Sequence, residues 1–116
     1  MTGNRLPDYL EHIERAASDA CAFVAGLSKQ DFLHDKRTQQ AVIMSLVIMG
    51  EAATKVMDGY PEFVQSHPDV PWRSMRGMRN RMAHGYFEID LDVVWETVDS
   101  ALPDLLAKMP VVRTGV

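Results

Sequence analysis

Apolar side chains recur every three or four positions along most of this chain, and no stretch shows the two-residue alternation of a half-buried strand. Between residues 6 and 27 one stripe runs through Leu6, Tyr9, Leu10, Ile13, Ala16, Ala17, Ala20, Cys21, Val24 and Leu27. It predicts an amphipathic helix with Pro7 in its first turn and Gly26 and Ser28 at its end. A second helix is predicted from about Asp35 to Asp58, closed by Gly59 and Pro61. Its middle, Ala41 to Met49, is nearly all apolar but too short for a bilayer, which reads as burial on most sides, against several neighbours or a second copy. Pro61, Pro68 and Pro71 leave room for one short helix near residues 62–66. Trp72, Met75, Met78 and Met82 then carry a third long helix from Trp72 to His84, ended by Gly85. The last helix starts at an Asp90 cap, with Ile89 and Val94 as a hydrophobic staple. Its stripe is Leu91, Val94, Trp95, Val98, Ala101, Leu102, Leu105 and Leu106, and Pro103 should kink or divide it. The expected fold is all-α: one domain over residues 1–116, an up-and-down bundle of four main helices plus a short helix.

Composition narrows the function. With 47 % hydrophobic and 24 % charged residues in 116, the chain is an ordinary single globular domain. One cysteine excludes a disulfide framework and a Cys-based zinc site. No run approaches the ~20 apolar residues of a membrane span and no signal-peptide pattern opens the chain, so a reducing, cytoplasmic setting with no membrane is expected. His12, His34 and His67 share no ligand spacing, so neither a metal nor a cofactor is expected, and Cys21 reads as an inert member of the first stripe. The net charge is −4. The segment from Arg73 to His84 nevertheless holds Arg73, Arg76, Arg79 and Arg81 and no acid; without it the remainder carries −8. Positive potential is thus concentrated in one short stretch, which suits local contact with phosphates rather than a general nucleic-acid coat.

That stretch ends in Arg79-Asn80-Arg81-Met82-Ala83-His84-Gly85-Tyr86. An arginine stays charged and forks onto a phosphate, while a histidine exchanges a proton near neutral pH. Together they suit metal-free RNA cleavage: the histidine takes the ribose 2′-hydroxyl proton or protonates the leaving oxygen, and the arginine stabilises charge on the pentavalent phosphorus. On an unbroken helix Arg79 and His84 lie about 140° apart, whereas Asn80 and His84 share a face with Arg76 one turn back. One helix alone makes a poor site, so two copies crossing at a two-fold axis are expected to build a composite one.

Here the sequence resembles a known family. Arg79 and His84, with Asn80 as the polar residue after the arginine, match the Arg-x4-6-His signature of HEPN domains. Pro71-Trp72-Arg73, Arg76-Gly77-Met78-Arg79-Asn80 and Ala83-His84-Gly85-Tyr86-Phe87 look like the HepT-like branch, as do Gly50-Glu51-Ala52-Ala53 and Leu102-Pro103. The resemblance implies a HEPN-like bundle and a homodimeric ribonuclease toxin whose partner is an MntA-type nucleotidyltransferase antitoxin. It implies Arg79 and His84 as catalytic residues, Asn80 in support, and silencing by transfer of AMP to Tyr86. Arg73, Arg76 and Arg81 are the candidate RNA-binding residues on the residue reading.

Each residue also has a plainer explanation. Arg79 can be a surface salt-bridge partner, as can Arg73 and Arg76; His84 a histidine favoured by the helix dipole; Tyr86 a packed ring; Asn80 a backbone hydrogen bonder. Glu51 is read as ordering an arginine across the bundle, and Trp72 and Trp95 as core. Taken together these plainer explanations describe a non-catalytic helical adaptor that dimerises and binds a nucleotidyltransferase. Growth arrest relieved by Arg79→Ala separates the toxin from the adaptor.

Overall fold

The structure, a computed structural model, describes residues 4–116, and every regular element among them is helical. Helix α1 (Leu6–Phe23) has Pro7 in its first turn, and the Asn4 side chain accepts from the Leu6 N–H at 2.9 Å. It stops short of the residue 27 that its stripe suggested. The chain turns through Gly26, whose φ of +82° is open to glycine at no steric cost. Ser28 and Asp31 then form a reciprocal capping box that starts α2 (Lys29–Leu33). This second short helix corrects the expectation of one, and it exists to bury Phe32 against Trp95 at a 5.5 Å ring separation. Trp95 is accordingly half-buried, while Trp72 is in the core.

Helix α3 (Lys36–Gly59) begins at Asp35, whose carboxylate accepts from the Thr38 hydroxyl at 2.7 Å and the Thr38 N–H at 3.1 Å. Those bonds hold the Asp35 carboxyl below the usual carboxylate range. At 24 residues α3 is long and apolar enough to cross a bilayer by length and composition alone, which the count over residues 41–49 did not show. Half of that stretch is buried in the bundle, with Val42, Leu46, Met49, Ala53 and Val56 in the core, so it sits as a core helix does. Its burial is not all-round either, since Met44 and Ile48 stay exposed.

Helices α4 (Pro61–Ser66) and α5 (Trp72–His84) lie where the prolines and the methionine stripe put them. A 3₁₀ turn (Tyr86–Glu88) leads to α6 (Leu91–Glu96), capped by Asp90. Pro103 does not break the helical run that begins at Leu91. A π turn over Thr97–Ala101, in which the Leu102 N–H reaches back to Thr97 O, widens the helix ahead of the proline. The chain continues as α7 (Leu102–Thr114), beyond the expected Leu106.

Contacts between helices fix an up-down-up-down order. Arg5 at the start of α1 donates its N–H to the Tyr60 hydroxyl at the end of α3 (3.1 Å). Along α3 and α5, Asp58 meets Arg76, Glu51 meets Arg79 and Gln40 meets Tyr86, which is antiparallel register. Glu14 and Arg113 pair α1 with α7, and the half-buried Cys21, its thiol pKa pushed up by burial, lies against Val98 O. Helix α1 packs between α3 and α7, while α5 leans on α3. A groove of about 380 Å³ therefore opens between α5 and α6, floored by Met78, Met82 and Ile89.

Candidate active site on the α3–α5 face

A close crossing of α5 over α3 at Gly50 sets this site. A Cβ placed on Gly50 would stand 2.3 Å from Arg79 Cβ and 2.6 Å from Met75 O. Only glycine lets the α5 backbone come so near α3. The approach carries the Arg79 side chain into the crease between the two helices. There its guanidinium pairs with the Glu51 carboxylate and donates to Thr54 Oγ1 at 3.2 Å. Glu51 and Thr54 are three apart on α3, so one turn supplies both acceptors. The Arg79 side chain is 22 % exposed, and its Nε is buried without a hydrogen-bond partner among the described residues. A guanidinium so stripped of water acts more strongly on a nearby anion than one in bulk solvent.

The other candidates are spread around α5 as the 100° rotation per residue dictates. Asn80 and His84 are exposed on the outer flank, on the same side of the molecule as the crease. Arg76 lies between them and α3, half-buried, 3.8 Å from Asp58. Arg73 is exposed in the first turn of α5. Arg81 borders the α5–α6 groove, with a guanidinium nitrogen 4.0 Å from Met78 Sδ.

After His84 the helix ends because the chain dips at Gly85, whose N–H still bonds Arg81 O at 2.9 Å. The 3₁₀ turn then folds Tyr86 back toward α3, where its hydroxyl accepts from Gln40 Nε2 at 3.4 Å. Tyr86 is 46 % exposed and meets Phe87 edge-on, with ring centres 5.9 Å apart. Phe87 is 99 % exposed.

Within one protomer the structure thus does not bring Arg79 and His84 together. The arginine is committed to α3, and the imidazole stands on the outer edge of α5. Along the same face run the exposed Met44 and Ile48, four residues apart on α3 and continuing the line of Gln40. No group of three or more His, Cys, Asp or Glu side chains suited to a metal ion occurs among the described residues. The pattern of apolar and charged residues marked Glu51 as an arginine's partner. It did not mark Thr54 or Gln40, although Thr54 lies at helical spacing from Glu51, and it did not separate Arg81 from the other arginines.

The model of a family described as "Ribonuclease HepT-like" matches residues 13–112. The chain is 41 % identical over 106 residues to "Probable ribonuclease HepT" of Thermococcus cleftensis, covering 91 % of this chain and 94 % of that protein. It is 36 % identical to a "Putative RNase" of Caldanaerobacter subterraneus over 84 % of each chain. A "Putative RNase" of Methanocaldococcus jannaschii is 32 % identical over 97 % of this chain and the whole of its own. No solved structure matches at a significant level.

Proposed function

The chain belongs to the HepT-like ribonuclease family, and from that premise we propose that it is a metal-independent endoribonuclease toxin working as a homodimer. The supporting observation is the α3–α5 face itself. It carries Arg79, Asn80 and His84 beside exposed Met44 and Ile48, apolar surface that a second copy would cover. Two such faces crossing at a two-fold axis set the Arg79 of one protomer opposite the His84 of its partner. One imidazole takes the proton of a ribose 2′-hydroxyl and the oxygen attacks phosphorus. The bond to the 5′-oxygen breaks, and the same imidazole, now protonated, gives its proton to that oxygen. Arg79 carries the negative charge of the phosphorane. The products are a 2′,3′-cyclic phosphate and a free 5′-hydroxyl. Arg73 and Arg76 hold flanking phosphates, and Asn80 orients the linkage.

Tyr86 fits the modification site of an MntA-type antitoxin. The residue is exposed, its hydroxyl is loosely held by Gln40, and it lies two residues past the imidazole. An adenylate there would place a phosphodiester charge and an adenosine across the cleft, competing with RNA for the arginines.

The test is cleavage of single-stranded RNA in excess EDTA. The wild type should cut and leave cyclic phosphate ends. His84→Ala should lose roughly 10²- to 10⁴-fold in rate, and Arg79→Ala roughly 10²- to 10³-fold. Intact RNA with the wild type, or equal cutting by His84→Ala, overturns the proposal.

A further inference from the structure

We propose that Phe87 is a stacking platform for an unpaired nucleobase of the RNA, next to the scissile linkage. The inference rests on the ribonuclease reading and adds a binding subsite to it. An aromatic ring left 99 % exposed gives up the burial that places most phenylalanines inside. The fold has an alternative within reach: the apolar groove of about 380 Å³ between α5 and α6 is lined by Gly85, Glu88 and Ile89, from the same loop. Phe87 does not enter it. The backbone that carries the ring is fixed: the 3₁₀ turn is closed by the Glu88 N–H on Gly85 O at 2.9 Å, and the Tyr86 ring lies edge-on with its centre 5.9 Å away. An aromatic ring with an open face is what base stacking uses.

Location adds the second argument. Phe87 follows His84 by three residues, so the imidazole and the ring lie within about 11 Å of chain. It also follows directly on the one segment rich in arginine and free of acid, Arg73 to His84. Arginines for the backbone with an aromatic at the end of the track are the two components of single-strand recognition. Gly85 and Glu88, the residues on either side of the Tyr86–Phe87 pair, add no large apolar side chain to it. A base stacked on Phe87 is held out of a helix, which leaves its ribose free to present the 2′-hydroxyl. Duplex RNA offers no such face.

The experiment measures binding of a fluorescein-labelled single-stranded oligoribonucleotide, 2′-O-methylated so that it is not cut. A duplex of the same sequence is the comparison, and light scattering reports the mass of every variant. Phe87→Ala should weaken single-strand binding by roughly 5- to 100-fold, the range of one lost stack, and leave duplex binding and mass unchanged. Phe87→Leu should fail like alanine, because it keeps apolar bulk without a π face, and Phe87→Trp should bind at least as well as the wild type. Unchanged single-strand binding by Phe87→Ala, full rescue by leucine, or loss of binding accompanied by a fall in mass overturns the proposal; the last would make Phe87 a subunit contact. Unmodified RNA, run in parallel, separates the two readings. A wild type that cuts while Phe87→Ala binds and cuts equally well removes only the stacking subsite. A wild type that neither binds nor cuts removes the ribonuclease reading as well.

Discussion

Arg79 illustrates how one side chain can satisfy a plain structural role and a chemical one together. Its pairing with Glu51 is the surface ion pair that composition alone would suggest, yet the pair sits in a crease where the guanidinium is 22 % exposed and Nε is buried. Such a pair adds little to stability, about 0–1 kcal/mol, because Glu51 itself is 51 % exposed and screened by solvent. On the proposed function its consequence is orientation: Glu51 and Thr54 fix two edges of the guanidinium, leaving the remainder for an incoming phosphate. Glu51→Ala should therefore melt within a few degrees of the wild type while kcat for RNA cleavage falls about tenfold with KM little changed, since a free guanidinium must be ordered at each turnover. Glu51→Gln, which keeps an acceptor oxygen, should recover part of the loss. A fall in melting temperature with no change in kcat would instead make Glu51 purely structural. The pairing was legible from sequence, because a carboxylate beside an apolar run needs a cation and the nearby sequence offered four. The direction of each arginine was not legible: Arg79 and Arg81 differ only by rotation about a helix whose packing partners the pattern does not name.

Helix boundaries show the same division between local and non-local causes. The limits of α5 at Trp72 and His84, the start of α3 at Asp35 and the cap of α6 at Asp90 follow from residues within a turn of the boundary, and the pattern located them, although it did not mark Asp35 as a cap. The π turn at Thr97–Ala101 is where the pattern was too coarse, since a proline at 103 is compatible with a break, a kink or an extra residue in the preceding turn. The stripe overruns the end of α1 because Val24 and Leu27 continue it although Gly26 turns the chain, and the Ser28–Asp31 box, not the stripe, marks where the next helix begins. Gly50 carries the sharpest consequence at this scale. Replacing it by alanine forces α5 away from α3, because Met75 O belongs to the backbone and cannot move alone. Gly50→Ala should destabilise by about 1–3 kcal/mol, the cost of an overpacked contact, despite alanine's better helix propensity. Gly77→Ala, on α5 with nothing within 4 Å of the added Cβ, should stabilise by about 0.4–1 kcal/mol. Urea unfolding of both variants checks the pair. If Gly50→Ala proves as stable as Gly77→Ala, the close crossing does not position Arg79.

At the scale of the whole molecule, charge and shape divide by face. Acids dominate outside Arg73–His84, and that strip lies beside the exposed Met44 and Ile48, so one face offers both arginine and apolar surface. A face of that kind is poorly solvated alone and attracts phosphate only where its arginines are not all neutralised; Arg79 and Arg76 already have carboxylate partners. In the proposed dimer, pairing two copies covers the methionine and isoleucine and gathers both arginine strips around one cleft. Because Arg79 and His84 diverge within a protomer, catalysis by such a dimer draws the arginine from one chain and the imidazole from the other. This predicts complementation. Arg79→Ala and His84→Ala proteins are each inactive, but subunit exchange between them produces heterodimers with one intact pair across the interface. Mixing equal amounts, with exchange completed by mild urea and dialysis, should restore about a quarter of wild-type cleavage, since half the dimers are mixed and each holds one of two pairs. Pairing within a protomer restores nothing, because neither chain carries both groups. A Met44→Glu, Ile48→Glu protein provides the companion measurement: charge on that face should leave a folded monomer by light scattering and circular dichroism that no longer cuts RNA, with Arg79 and His84 untouched. Full activity in a proven monomer would place both groups of the reaction in one chain, against the directions in which α5 sends them.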